Sequence, residues 1–178
     1  MPEPALLTES VTMRVLAPGD GDALAEAYAR NREHLAPWEP VRPEAFYTGA
    51  GQGTEVASKL GQLGAGTALP WLLCDGDRVV GTLTVSGIVR GPFLSGNVGY
   101  WVDGDYVGRG IATAAVEHAA RAAREEGLHR LQAGTLVHNI ASQTVLRRAG
   151  CERIGLATQY LQIAGRWQDH VLYERILR

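Results

Sequence analysis

Lysine is almost missing from this chain: of its 17 basic residues, sixteen are arginine and only Lys59 is lysine. Against 19 acidic residues the formal charge is -2, so the chain lacks the positive excess of a general nucleic-acid binder. Cysteine is nearly as scarce. Cys74 and Cys151 are its two cysteines, and they belong to no CxxC pair and no Cys/His cluster, which argues against a structural metal. Flanked by apolar residues, each reads as a buried thiol at a strand end, with a nucleophile as the competing reading. Long hydrophobic runs are absent as well, since "ALPWLLC" falls far short of the roughly 20 residues that span a bilayer. The start "MPEPALLTES" lacks the basic, then apolar, pattern of a targeting segment. The expectation is a cytoplasmic protein in a reducing setting, with no membrane or nucleic-acid partner. Neither a repeat nor a linker divides the 178 residues, so residues 1–178 are expected to form one domain, enough to bury about 70% of the extended chain's surface.

The patterns that are present alternate between strand and helix. "ESVTMRVLAP" predicts a first strand near residues 11–16, and Asp20 is placed to cap a helix in which Ala23, Leu24, Ala27 and Tyr28 share a face. "VRPEAFYTGAGQG" reads as a loop or a ragged helical piece, with a second helix over residues 54–64. "ALPWLLCDGDRVVGTLTVSGIV" predicts a hairpin around Asp-Gly, followed by a strand at "GNVGYWVD". An alanine-rich helix is expected over residues 110–126, with Gly127 as its stop. Next come a strand at "HRLQAGTLV", a short helix over residues 141–149 and a hairpin around Ala164, Gly165 and Arg166. The class is α/β, a mixed sheet with helices on its faces.

The most informative stretch is "YWVDGDYVGRGIATAAVEHAA", where a strand runs through a glycine turn into a helix. Gly108 and Gly110 let the backbone bend and clear the way to the N–H groups of Arg109, Gly110, Ile111, Ala112 and Thr113. With the positive end of the helix behind them, such donors suit a diphosphate. The competing explanation is a pair of ordinary loop glycines among the 22 in the chain. The turn comes too late and lacks the third glycine for a dinucleotide fingerprint, and Ile-Ala stands where a P-loop needs Lys-Ser/Thr.

"GRGIAT" at 108–113, with "HLAPW" at 34–38, "NVGYWVD" at 97–103, "HNIASQTVLRRAGCERIG" at 138–155 and "GRWQDHVLYERI" at 165–176, resembles the GNAT N-acetyltransferases. Within them it is most similar to enzymes that acetylate the N-terminal amine of ribosomal proteins. Gly110 and Ala112 match the last two places of the family signature, while Val107 sits where Gln or Arg is usual. The resemblance implies a GNAT acyl-CoA N-acyltransferase fold, mostly antiparallel, whose central strand pair splays apart to admit acetyl-CoA. It implies acetyl transfer to a primary amine by direct attack in a ternary complex, with no metal, and a homodimer. The protein N-terminal α-amine is the favoured acceptor. A small-molecule amine (aminoglycoside, polyamine or amino acid) and a non-catalytic acyl-CoA-binding protein are the alternatives.

The same resemblance assigns residues. Trp101, Val102, Gly108, Arg109, Gly110, Ile111, Ala112, Thr113 and Asn139 are expected to hold acetyl-CoA, with an N–H near Trp101 to Asp103 as oxyanion donor. Asn139 and Ser142 match the family's Asn-x-x-Ser, Ser142 as the proton donor to the leaving thiolate; helix capping is their other role. Trp38 and Tyr100 are expected at the acceptor site, although Trp38 also fits a hydrophobic plug. Tyr100 and Trp101 alternate on a strand, so one of them must pack into a helix layer. Gln159 stands about where the subgroup has a glutamate base, and a glutamine cannot accept the proton. Asp103, His138, Asp169 and His170 are the substitutes, with bulk water as the remaining choice. Arg147 and Arg148 could meet the 3'-phosphate of CoA or form a solvated helix face, and His118 reads as a partly buried surface residue.

Overall fold

The computed structural model describes residues 4–178. Its elements are β1 (Ala5–Leu6), β2 (Val11–Val15), α1 (Gly21–Arg30), α2 (Arg32–Leu35), a 3-10 turn at Glu44–Tyr47, α3 (Gly49–Gly64), β3 (Leu69–Asp75) and β4 (Arg78–Val89). There follow β5 (Ser95–Val102), a 3-10 turn at Gly104–Tyr106, α4 (Ile111–Glu125), β6 (Arg130–Leu136), α5 (Ile140–Arg148), β7 (Glu152–Ile163) and β8 (Arg166–Ile176). One eight-stranded sheet results, in the order β1-β2-β3-β4-β5-β6-β8-β7. Every neighbouring pair is antiparallel except β5 and β6, so the α/β class and the mostly antiparallel sheet are as the sequence implied.

"ALPWLLC" fails to alternate because β3 lies mid-sheet with helices on both faces. Trp71 and Leu73 point into a core with Ile111, Ala115, Val116 and Ala119 of α4. Leu72 and Cys74 point the other way, into a core with Leu24, Ala27 and Tyr28 of α1 and Phe46. Both cysteines are buried and unpaired, and burial pushes each thiol up, away from a reactive thiolate.

Three local expectations are corrected. Asp20 precedes α1 but does not cap it: its carboxylate accepts from the Ala17 N–H at 2.7 Å and takes both ends of the Arg14 guanidinium at 2.7 and 2.9 Å. The second helix starts earlier than residue 54, because the Thr48 hydroxyl caps it by accepting from the Gly51 N–H at 3.1 Å. Its early glycines look like a loop in sequence but serve packing. A Cβ on Gly51 would overlap the Ala45 carbonyl oxygen. Finally, the two-residue β1 pairs with β2 at the sheet edge, too short to leave a pattern in sequence.

α3 therefore supplies two substitutions of opposite sign. Gly51→Ala should destabilise by about 1–3 kcal/mol through overlap with fixed backbone. Gly61→Ala, which meets only open space, should stabilise by about 0.4–1 kcal/mol. Urea unfolding of both variants tests the pair; a neutral Gly51→Ala would contradict the packing of α3 against the 3-10 turn.

Candidate active site

β5 and β6 run parallel but pair only at Ser95–Asn97 against Arg130–Gln132. Past Asn97 they separate, while β5 stays paired with β4 as far as Val102 opposite Gly81. The Asp103 N–H donates to the Val80 carbonyl at 2.8 Å. Backbone groups of a strand alternate between its two edges, so beyond the last paired residues those of Tyr100 and Val102 face the gap. His34 Nε2 donates to the Val102 carbonyl at 3.2 Å, leaving the Val102 N–H directed at the opening. The splay implied by the resemblance is thus present, and Val102 rather than Asp103 supplies the available amide.

The mouth of the gap is the turn into α4. Gly108 and Gly110 have φ of 79° and 77°, a region L side chains rarely enter. A Cβ on either would meet nothing within 4 Å, so the space in front of them is open. The first helical bond is from Ala114 N–H to the Gly110 carbonyl at 3.0 Å, and no side chain caps the end. The amides of Ile111, Ala112 and Thr113 accordingly have no helical acceptor. Arg109 contributes its backbone only, since its guanidinium folds back to donate to the Asp105 carbonyl at 2.7 Å and covers the Tyr106 ring at 4.6 Å. Exposed Val107 leaves the opening unobstructed. A run of donors along a strand edge, ending at an uncapped helix N-terminus, fits a pantetheine arm that ends in a diphosphate.

On the far wall, the Asn139 side chain caps α5 by accepting from the Ser142 N–H at 3.0 Å. The Ser142 hydroxyl is not spent on capping: it lies 2.9 Å from the Tyr100 hydroxyl, which is also 3.3 Å from the Ser142 carbonyl. Burial pushes the Tyr100 phenol up, the bond to Ser142 pulls it back, and the balance is about 12. Tyr100 is therefore neutral at pH 7. It stands on the α5 side with Ser142, not among the residues that wall the other face.

Trp101 is corrected too. Strand alternation turns it onto the α1 side, where it is buried and its indole N–H donates to the Tyr28 hydroxyl at 3.0 Å. It packs the core and presents no side chain to a cofactor. Asp103 fails as a base for a different reason. It is 2% exposed, accepts from Arg30 at 2.8 Å, Arg78 at 3.3 Å and the Asp105 N–H at 3.0 Å. Burial alone would raise its carboxyl, but Asn31, the Asp105 amide and the two arginines outweigh this and hold it at about 2. Such a carboxylate is a structural anchor with little affinity for a proton at neutral pH.

The remaining candidates are spread over both faces and the sheet edge. Trp38 and His138 come together, ring centroids 5.5 Å apart, linking the segment after α2 to the β6–α5 loop. Gln159 sits in a β7 bulge at φ 47°, its N–H held by the Asp169 carboxylate at 2.9 Å. Asp169 is thereby committed to the bulge. His170 is buried beside Tyr160 and donates from Nδ1 to the Gln168 carbonyl at 2.9 Å. Arg147 and Arg148 are exposed on α5, and His118 is half-buried against the edge of Trp71. Two residues escaped the sequence reading. His34 and Glu39 flank the "LAPW" stretch, but nothing in sequence shows that His34 reaches β5 or that Glu39 is half-buried, where burial raises its carboxyl.

Comparison with known proteins agrees with this geometry. Residues 10–152 match the family described as acetyltransferase (GNAT) domain. The chain is 35% identical to the [ribosomal protein uS5]-alanine N-acetyltransferase of Escherichia coli (strain K12), over 97% of this chain and 90% of that one. Among solved structures, the ribosomal-protein-S5-alanine acetyltransferase of Vibrio fischeri superposes with a TM-score of 0.94 at 33% identity, covering 99% of this chain and 97% of that one. Mycobacterium smegmatis RimJ in complex with CoA-disulfide gives 0.88 at 28% identity, covering 93% and 81%.

Two tests follow from these details. Asn and Asp both tolerate a left-handed backbone better than other L residues, so Gly110→Asn and Gly110→Asp differ mainly in charge. The Asp variant should bind acetyl-CoA at least about tenfold more weakly than the Asn variant, because a carboxylate then faces the diphosphate; equal calorimetric affinities would move the cofactor elsewhere. For Asp103, whose carboxyl is depressed, the stabilising contribution is complete above the unfolded value near 3.9 and is lost as pH falls toward 2. Wild type should lose about 2 kcal/mol relative to Asp103→Asn between roughly pH 5 and pH 2 in urea unfolding; parallel curves would contradict the anchor role.

Proposed function

The chain belongs to the GNAT acetyltransferase family, and we propose that the amine it acetylates is the α-amine of a protein N-terminus, that of a ribosomal protein first of all. The observation that carries this reading is the full-length likeness to an enzyme named for acetylating the alanine of ribosomal protein uS5. Its chemistry is consistent: an α-amine titrates near 7.7–8.0 and a lysine near 10.4, so the former is far more often neutral at pH 7. A cytoplasmic site of action and a homodimer belong to the same proposal. The exposed edge strand β7, with Ile154, Leu156 and Leu161, offers a face for a second copy.

Acetyl-CoA supplies an activated acetyl thioester. The amides of Gly108 to Thr113 hold its diphosphate, and the gap edge of β5 holds the pantetheine. Asn139 fixes the start of α5 and so the place of Ser142. The Val102 N–H is directed to stabilise an oxyanion. Either hydroxyl of the Tyr100–Ser142 pair can donate, and in the arrangement where Tyr100 donates the serine proton is free to meet a departing sulfur. Trp38, stacked near His138, walls the acceptor side.

The test is thiol release from acetyl-CoA with three acceptor classes: an alanine-initiated peptide, the same peptide N-terminally blocked but carrying a lysine, and small amines. The free α-amine should be preferred. Preference for a small amine would overturn the acceptor, and no release with any would favour a non-catalytic acyl-CoA binder. Ser142→Ala should lower kcat by about ten- to a thousandfold while acetyl-CoA affinity stays within about threefold. An unchanged kcat would remove the serine from the chemistry.

A further inference from the structure

With Gln159 unable to accept a proton, Asp103 locked in ion pairs and Asp169 holding the bulge, one further carboxylate stands on the Trp38 segment, that of Glu39. The segment after α2 is fastened to the β7–β8 turn, the Ala164 N–H donating to the Glu39 carbonyl at 2.9 Å. Its neighbour Trp38 touches the loop that carries Asn139. The Trp38–Glu39 pair therefore ties the β7–β8 turn to the loop between β6 and α5. Its side chain is 21% exposed, and its closest cation is Arg42, with Nε 3.9 Å from Oε2, too far for a hydrogen bond. Among the described residues no hydrogen bond reaches its carboxylate, so both oxygens have capacity for a ligand.

We propose that Glu39 receives the acceptor's ammonium group and takes a proton from it, as the base of the reaction. Arg42 of its own segment is its one ion-pair contact among the described residues, and the fields of Tyr28 on α1 and Lys59 on α3 also act on it. The link toward the reacting centre runs through Tyr28: its phenol is raised to about 12 by burial and by the nearby charge of Glu39, and it accepts the indole N–H of Trp101 on β5, next to Val102. Burial raises the Glu39 carboxyl while Arg42 and Lys59 pull it back, so it departs from its ordinary value in the direction a proton acceptor for an amine requires. Among the described carboxyl groups with a resolved shift it is the one that moves up; Asp20, Glu44 and Asp103 move down.

The protons balance. An acceptor arriving as R–NH3+ leaves as an amide N–H, having lost two. The first passes to Glu39 and then to water, regenerating the carboxylate. The second passes to water as the C–N bond forms; the departing sulfur takes a proton from Ser142 as the C–S bond breaks, and water returns one to Ser142, so that one proton is released in all.

This inference rests on the acceptor reading above, and its test separates the two. The pH dependence of kcat/KM is measured for wild type, Glu39→Gln and Glu39→Asp with two acceptors of well-separated amine pKa, taken from whichever class turns over. Failure of peptides with turnover of a small amine would sink the peptide reading, and Glu39 would then be judged on that amine. Wild type should have an acid limb that stays put when the acceptor changes. Glu39→Gln should lose that limb and fall by about ten- to a hundredfold in kcat near pH 7, with acetyl-CoA affinity within about threefold; Glu39→Asp should restore part of the rate and keep a limb. Should the Gln variant unfold, the Asp variant decides alone. Wild-type kinetics in either variant, or a limb that only tracks the acceptor in all three proteins, would overturn the proposal.

Discussion

Two parallel strands that hydrogen-bond for three residues and then part are the constraint on which this structure depends. A buried backbone N–H or C=O without a partner costs about 1–3 kcal/mol, so a gap in mid-sheet must be filled or kept open. Here each wall of the opening is secured from outside the missing ladder. β5 is held by β4 on its other edge and by His34 at the Val102 carbonyl. β6 is held by β8 along its whole length. Asp103, clamped by Arg30 and Arg78, fixes the end of β5 just before the turn into α4. Asp103, expected as a candidate base, is instead the centre of a charge cluster that anchors the end of β5.

Strand alternation then divides the labour. On the α4 and α5 side lie Tyr100, Ser142 and the uncapped opening of α4, the groups proposed to meet the thioester and the diphosphate. On the α1 side Trp101 and Tyr28 pack together in the core, and in the proposed reading Trp38 and Glu39 serve the acceptor. One strand, β5, carries neighbouring residues with opposite duties, and its backbone lies between them.

How much of this was legible in the sequence depended on whether the signal was local. The Asp-Gly hairpin, the alanine face of α4, the glycine turn before it and the Asn139 cap all announce themselves within a few residues. α3 did not, because Gly49, Gly51 and Gly53 are loop residues by propensity and helical by tertiary contact, the Gly51 position having no room for a side chain. The assignment of Trp101 failed because period-two alternation says that neighbours diverge but not which face holds the cofactor. Asp103 failed because its partners lie 73 and 25 positions away. Glu39 was missed for the same reason: the burial that raises its carboxyl comes from elements that sequence does not place beside it.

The central claim is that backbone amides of β5 and of the α4 turn hold the cofactor across a gap built into the sheet. Amide hydrogen exchange with and without CoA tests it most directly. The account predicts new protection concentrated at Tyr100 and Val102 and at Gly108 to Thr113, with the α1–α3 layer little changed. Protection confined to α1 and α3, or spread evenly with none at those amides, would contradict it.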